Sequence, residues 1–367
     1  MTRIQPIGFD FAARQRKLLA VLEEMRLDAL LVTNLLNIAY LTGFRGSAGS
    51  ALFGRSGGIL WVDPRYTLQA GQDAHGVAVR EVRGSLLVAA GTWMAKQHFG
   101  KVGVDDENLS VRQFEVLKER VRGKVRLRPA GRIVEELRAI KDKLEVERIR
   151  AAGKVTVGAL NDVLSQVKPG ARESDLAAEI EYCMRRRGAE GAAFESIVAS
   201  GARSALPHAR PSRKLLEKFD LVIIDVGAIV DGYVADMTRT IFLGKPDNRV
   251  RRLYGAVLNA QEQGIEALAD GVFAGQADTA ARRALKRHRL DKYFTHSTGH
   301  GLGMEVHEAP RLGRNDKSKL AAGSVVTVEP GVYLDGFGGV RIEDTILVGP
   351  DGPEILTLST KTDWIRD

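Results

Sequence analysis

The sequence predicts two domains of different class, an α/β domain over residues 1–134 and an α+β domain over 135–367. Two patterns lead to this. In the first third, strand-length apolar runs alternate with runs of helical period, as in an α/β layer. Beyond residue 135 two long helical patterns come first, and strand-length runs then occur in groups with helices between them, as in an α+β fold. The length, 367 residues, is itself more than one domain commonly holds.

In chain order, Leu18, Leu19, Val21, Leu22 and Met25 lie at helical spacing, and the apolar run Ala29 to Val32 follows as a strand. Further strands are expected at Ile59 to Val62, Val77 to Val82 and Lys101 to Val104, then a helix from Val111 to Val121. The stretch Leu41 to Gly58 carries Gly43, Gly46, Gly49, Gly54, Gly57 and Gly58. No Lys-Ser/Thr pair closes it as in a phosphate-binding loop, so it reads as turns between strands. The pattern changes around Pro129 to Arg132, which places the domain boundary near residue 135. From Asp142 to Val167, the residues Leu144, Ile149, Ala152, Leu160, Val163, Leu164 and Val167 sit near helical spacing, and Pro169-Gly170 ends the run. A second helix is expected from Ser174 to Arg187, with Gly188 as its C-terminal cap. Strands are then expected at Asp220 to Val226, Thr238 to Leu243, Val325 to Glu329 and Arg341 to Val348. Helices interrupt them around Leu253 to Leu268 and from Thr279 to Arg287.

Hydrophobic residues make up 44% and charged residues 27% of the chain, an ordinary soluble composition that supports a sizeable core without staples. The single cysteine, Cys183, allows no intrachain disulfide, and it sits in the helical run Leu176, Ile180, Met184 as a small apolar side chain. The opening MTRIQPIGFDFAARQRK has no apolar leader core, and no stretch reaches the roughly 18 apolar residues of a membrane span. A cytoplasmic protein without a membrane partner is the expectation. The net charge of +8 is spread widely. Arg185 to Arg187 and Arg282-Arg283 fall in helical patterns as solvated faces, with no aromatic side chains between them to stack bases, so nucleic acid is not an expected partner.

The chemistry gathers in the second domain. Asp225 ends the apolar strand Leu221-Val222-Ile223-Ile224, where a carboxylate is costly unless it is paired or bound to a metal. Asp236 follows in Asp231-Gly232-Tyr233-Val234-Ala235-Asp236, where the Gly-Tyr step suits a hairpin that returns the chain beside itself. Read alone, this is either two carboxylates in one site or a pair of turn aspartates. Three of the seven histidines, His296, His300 and His307, fall in the short stretch His296 to Glu308, and glycines on both sides of His300 allow the backbone to approach a ligand closely. Glu329 ends the run Val326-Thr327-Val328 before Pro330-Gly331. Arg341 and Glu343 share one face of their strand by its period of two, and Asp344 faces away. Four carboxylates and an imidazole form an oxygen-rich donor set that suits Mn²⁺, Co²⁺, Fe²⁺ or Zn²⁺ rather than a cysteine-rich structural zinc site. Several negative charges in one pocket call for cations, and a cage for two of them is chemically sensible.

Taken together, Asp225-x10-Asp236, the Asp-x-Thr-Arg step at the second aspartate, His300, Glu329 and Glu343 resemble, in order and spacing, the ligands of the pita-bread metallopeptidases, a group that includes aminopeptidase P, prolidase and methionine aminopeptidase. His208, His296 and His307 resemble the proline-specific branch, and the N-terminal third resembles its creatinase-type domain. The resemblance implies a creatinase-like α/β domain ahead of a pita-bread α+β domain, and two divalent ions, Mn²⁺ foremost. Asp236 and Glu343 would bridge the ions, Asp225 would chelate one, and His300 and Glu329 would bind the other. Glu329 would also shuttle a proton. His208 and His307 would contact the substrate carbonyl, and His296 would line the proline pocket. Arg341 and Tyr333 would support the site. Small proline-containing peptides are then the expected partners and a homodimer the expected assembly. Creatine amidinohydrolases and non-catalytic relatives share the architecture but lack intact ligands. Between the two peptidases, the compact N-terminal domain and Pro207-His208-Ala209-Arg210-Pro211 favour an Xaa-Pro aminopeptidase, with the Xaa-Pro dipeptidase as the alternative.

Overall fold

The computed structural model describes residues 8–366. Residues 1–7, which open the stretch expected to hold no leader, lie outside the described residues. The chain divides into two compact units, Met1–Arg138 and Ala139–Asp367.

The first unit is built on a six-stranded sheet in the order Val77–Glu81, Gly57–Val62, Ser50–Gly54, Ala29–Val32, Lys101–Val104, Arg126–Pro129. Ser50–Gly54 runs antiparallel to both of its neighbours, and the outer pairs are parallel. Leu31, Leu52, Trp61, Val102 and Leu117 meet in its core. The expected turn region Leu41 to Gly58 is corrected here. Helix Leu35–Thr42 runs into it and ends at Gly43, whose φ of 87° is the left-handed cap. Ser50–Gly54 is a fully buried strand, so only the tight link from Gly54 to Gly57 is a strand turn. Helix Leu86–Met94 also went unseen because Leu86-Leu87-Val88-Ala89-Ala90 is apolar on every face and has no period. Its N-cap, Ser85 accepting from Val88 N, was the available signal.

In the second unit, Asp142 and Glu145 form a capping box that starts helix Lys143–Val163. Helix Glu173–Arg186 ends before Gly188, which takes a φ of 99°. Leu160, Val163, Leu176, Ile180 and Met184 from these helices pack on Val222, Ile224, Val226, Met237 and Ile241. This fixes strands Leu221–Val226 and Met237–Leu243, the antiparallel pair at the centre of a four-stranded sheet. A five-stranded sheet runs Glu308–Leu312, Gly299–Gly301, Val325–Val328, Asp344–Gly349, Gly352–Ile355. Helices Asn248–Glu266 and Gly275–Arg287 supply Leu253, Val257, Ala281 and Leu285 against Val332, Val340 and Ile342. The expected single strand Arg341 to Val348 is two strands. Gly338–Arg341 pairs with Gly331–Leu334, and Asp344–Gly349 joins the five-stranded sheet, with Ile342 and Glu343 at the crossing between them. No described helix is long and apolar enough to cross a membrane.

Candidate active site

The two aspartates are brought together by a two-residue turn. Asp231 (φ 50°) and Gly232 (φ 76°) both adopt positive φ, the requirement of a type I′ hairpin, and Val230 pairs with Tyr233. The chain then re-enters beside itself with Asp225 opposite Thr238, which sets Asp236 next to the end of the first strand. Donor atoms of Asp236, His300 and Glu343 lie within 4.8 Å of one another. His300 Nε2 is 3.4 Å from Glu329 Oε1 and 3.8 Å from Asp236 Oδ2. Asp225 is held in place by Arg341, whose Nη2 donates to Oδ2 at 2.7 Å. Asp225 Oδ1 and Asp236 Oδ1 are buried and have no hydrogen-bond partner. Buried carboxylate oxygens that no protein donor satisfies fit a cation, since an ionised carboxylate can only accept.

The electrostatics agree. Burial, then the charges of Asp225 and Glu329, push Asp236 well above the ordinary carboxylate value. Burial, then Asp236, Glu329 and Asp225, do the same to Glu343. Burial raises Glu329 to about 8, against an opposing pull from Arg341. Such a cluster ionises fully only with positive charge among its members. Burial lowers His300 to about 4, so its ring is neutral at physiological pH. Its Nδ1 donates to Gly301 O at 3.1 Å, leaving the Nε2 lone pair turned towards Asp236 and Glu329.

Around this centre the hydrogen bonds run in a defined direction. Arg341 Nη1 donates to Tyr333 Oη at 2.9 Å, so the Tyr333 hydroxyl donates on to His296 Nε2 at 2.9 Å, while His296 Nδ1 donates to Ser297 O at 2.8 Å. Both nitrogens of His296 are therefore occupied, and burial lowers it to about 4. Arg341 also donates to Thr238 Oγ1 and Pro207 O, and its side chain is 3% exposed. It ties Asp225, Thr238, Tyr333 and Pro207 into one network. His307 packs 4.3 Å from His300, ring centre to ring centre, and burial followed by the charge of His208 lowers it. His208 itself is exposed, on the segment between Ser200 and Ser212.

The glycines beside His300 serve a different purpose from the one the sequence suggests. A Cβ on Gly299 would lie 1.9 Å from Thr327 O, and one on Gly301 2.2 Å from Ala309 O. They let neighbouring strands close in rather than a ligand. Thr238, the threonine of the Asp-x-Thr-Arg step, donates from Oγ1 to Glu343 Oε2 at 2.6 Å. Its signal was the strand period, which puts it two residues past Asp236 on the same face. Asp344 turns away from the site to Arg239, Gln261 and Lys361.

Residues 147–350 match the profile of metallopeptidase family M24, and residues 14–140 match the creatinase/prolidase N-terminal domain. The chain is 33% identical to an Xaa-Pro dipeptidase of Pyrococcus horikoshii over 342 residues, 93% of this chain and 96% of that one. It superposes on the solved Xaa-Pro dipeptidase from Bacillus anthracis with a TM-score of 0.93 at 35% identity, covering 97% of this chain and all of the other (100%). The solved X-Pro aminopeptidase from Thermotoga maritima gives 0.88 at 34% identity, over 96% and 99% of the two chains. The expected architecture, a creatinase-like α/β domain followed by a pita-bread α+β domain, is present. A buried acid and histidine cluster in this fold, matched over the length of the catalytic unit, makes the chain a member of metallopeptidase family M24, of its proline-specific branch.

Proposed function

We propose that the chain is an Xaa-Pro dipeptidase that uses two divalent cations, Mn²⁺ foremost. The observation that carries this is the assembled cluster of Asp236, His300, Glu329 and Glu343, with Asp225 fixed beside it and His208, His296 and His307 near it. The Pyrococcus horikoshii and Bacillus anthracis dipeptidases, both matched over more than nine-tenths of their length, move the choice from the aminopeptidase expected above to its alternative. The intact donor set also sets the chain apart from creatine amidinohydrolases and non-catalytic relatives.

In this reading Asp225, Asp236, His300, Glu329 and Glu343 hold the cations. When bound, these ions act as Lewis acids and make water a competent nucleophile near neutral pH. Water oxygen adds to the carbonyl carbon of the Xaa residue, the C–N bond to proline breaks, and Glu329 carries a proton to the leaving prolyl nitrogen. His208 and His307 steady the negative charge that develops on the carbonyl oxygen. An Xaa-Pro bond has no N–H, and the rigid ring loses less freedom in a fitted pocket beside His296 than an open chain would.

Besides the Pro207 to Pro211 stretch and the compact N-terminal domain, the aminopeptidase reading is supported by the full-length likeness to the Thermotoga maritima enzyme. Ala-Pro, Ala-Pro-Ala and Met-Ala-Ala, each incubated with Mn²⁺-loaded protein, separate the readings. Cleavage of Ala-Pro with little action on Ala-Pro-Ala is expected. Efficient cleavage of Ala-Pro-Ala returns the assignment to the aminopeptidase, and preference for Met-Ala-Ala overturns proline specificity.

A further inference from the structure

His208 stands on an irregular segment of short 3-10 turn and loop between Ser200 and Ser212, a poor platform for a group that must meet a substrate oxygen accurately. The segment is closed by one buried carboxylate. Glu173, the first residue of helix Glu173–Arg186, has a side chain that is 0% exposed. Its Oε1 accepts from Ser200 N at 2.7 Å and from Ser200 Oγ at 2.9 Å. Its Oε2 accepts from Ser212 N at 3.1 Å, Ser212 Oγ at 2.6 Å and Arg203 Nε at 3.1 Å. One carboxylate thus takes donors from both ends of the segment and from its middle. Arg203 continues the link, its Nη2 donating to Arg210 O at 2.6 Å. On the side facing the site, Pro207 O accepts from Arg341 Nη1 at 3.0 Å, and Ser204 Oγ accepts from Gly339 N at 2.8 Å.

Such a carboxylate is expensive to bury unless its lone pairs are filled, and here they are. Burial pushes the Glu173 carboxyl up, but hydrogen bonds from Ser212 and Ser200 outweigh it, and the group ionises below the ordinary glutamate value of 4.5. A fold needing only a helix start has cheaper solutions, such as a single Ser or Asp cap. Five donors drawn from three points of one segment indicate that the shape of that segment is what the carboxylate serves.

We propose that Glu173 is a positioning residue that holds His208 over the reaction centre by clamping both ends of the 200–212 segment. The catalytic part of this proposal rests on the peptidase reading above, while the clamp itself does not. Glu173→Gln keeps the size but turns an NH₂ towards donors that need an acceptor. Two measurements test it. In Mn²⁺-loaded protein of unchanged metal content, Glu173→Gln lowers kcat for Ala-Pro by about 10- to 100-fold, as expected for a displaced catalytic group, and leaves KM nearly unchanged. In a His208→Ala background the same substitution then costs nothing further. Limited trypsin digestion, mapped by mass spectrometry, shows faster cutting of Glu173→Gln at Arg203 and Arg213, with or without metal. Should Glu173→Gln fail to fold, Ser212→Ala, which removes one donor, shows the same effects at smaller size. An equal loss of kcat in the His208→Ala background, or trypsin cutting no faster than in the wild type, overturns the proposal. If the wild type cleaves no Xaa-Pro substrate, the function above fails, and the trypsin comparison still decides the clamp.

Discussion

The histidines divide by what their ring nitrogens already do. His300 donates from Nδ1 to Gly301 O and turns Nε2 to Asp236 and Glu329, which is the posture of a ligand. His307 packs against it, 4.3 Å between ring centres, and His208 sits on an exposed segment, which suits groups that meet substrate. Elemental analysis of purified variants checks this. His300→Ala should lose bound metal, while His208→Ala and His307→Ala should keep it and lose about 10²- to 10⁴-fold in kcat. Because His307 touches His300, it is the sharper case, and loss of metal from His307→Ala to the degree seen for His300→Ala would contradict the division. Arg341 shows the complementary economy of a positioning residue, serving Asp225, Thr238, Tyr333 and Pro207 at once.

Strand pairing sets the accuracy of the centre. Gly299 and Gly301 bracket His300 on a strand of three residues, flanked by Glu308–Leu312 and Val325–Val328. A methyl at either glycine meets a carbonyl oxygen of a neighbour, so the strands must part. Gly301→Ala should therefore cost about 1–3 kcal/mol, as other overpacked sites do, and weaken metal binding through His300. Gly255 is the control. It lies within helix Asn248–Glu266, and a methyl added there would meet nothing within 4 Å, so Gly255→Ala should stabilise by about 0.5–1 kcal/mol. Thermal melts and metal titrations of the two variants would refute the argument if they behaved alike. The Asp231-Gly232 turn has the same standing, since a different turn would shift the register that places Asp236 beside Asp225.

For the whole molecule, the charge cluster ties stability to metal and pH. Glu329 ionises at about 8 against an ordinary 4.5, so its contribution to the metal-free protein is complete below 4.5 and is lost as pH rises through about 8. Asp236 and Glu343 shift in the same direction. His296 and His300, held at about 4 against 6.5, act oppositely, and their contribution is lost only as pH falls from 6.5 through about 4. Above pH 6.5 these rings are neutral folded or unfolded, and only the carboxylates act. Chelated protein should thus lose about 1–2 kcal/mol through Glu329 between pH 6.5 and 8, with Asp236 and Glu343 acting in the same direction. Metal-loaded protein should stay level, because bound cations keep the carboxylates ionised in the folded state. Parallel melting curves for the two forms across that window would show that the cluster does not carry the charge described.

The sequence by itself determined the two classes of domain, the long helices and the central strands, because each has a period and an end signal of its own. It also singled out Asp225 and Glu329, because charged groups ending apolar strands are costly without a purpose, and Asp236, His300 and Glu343 by the hairpin, the clustered histidines and the strand period, with the family resemblance joining all five. Helix Leu35–Thr42 and strand Ser50–Gly54 were hidden in a glycine-rich run whose glycines close helices and turns at close quarters. Glu173 lay one residue before the expected helix start, and Thr238 entered only as part of the Asp-x-Thr-Arg step. Only the tertiary structure decided that one clamps the His208 segment and the other steadies Glu343. The reason is physical. A ligand is marked locally by what it costs, whereas a supporting residue is defined by partners far along the chain, and those exist only once the strands have paired.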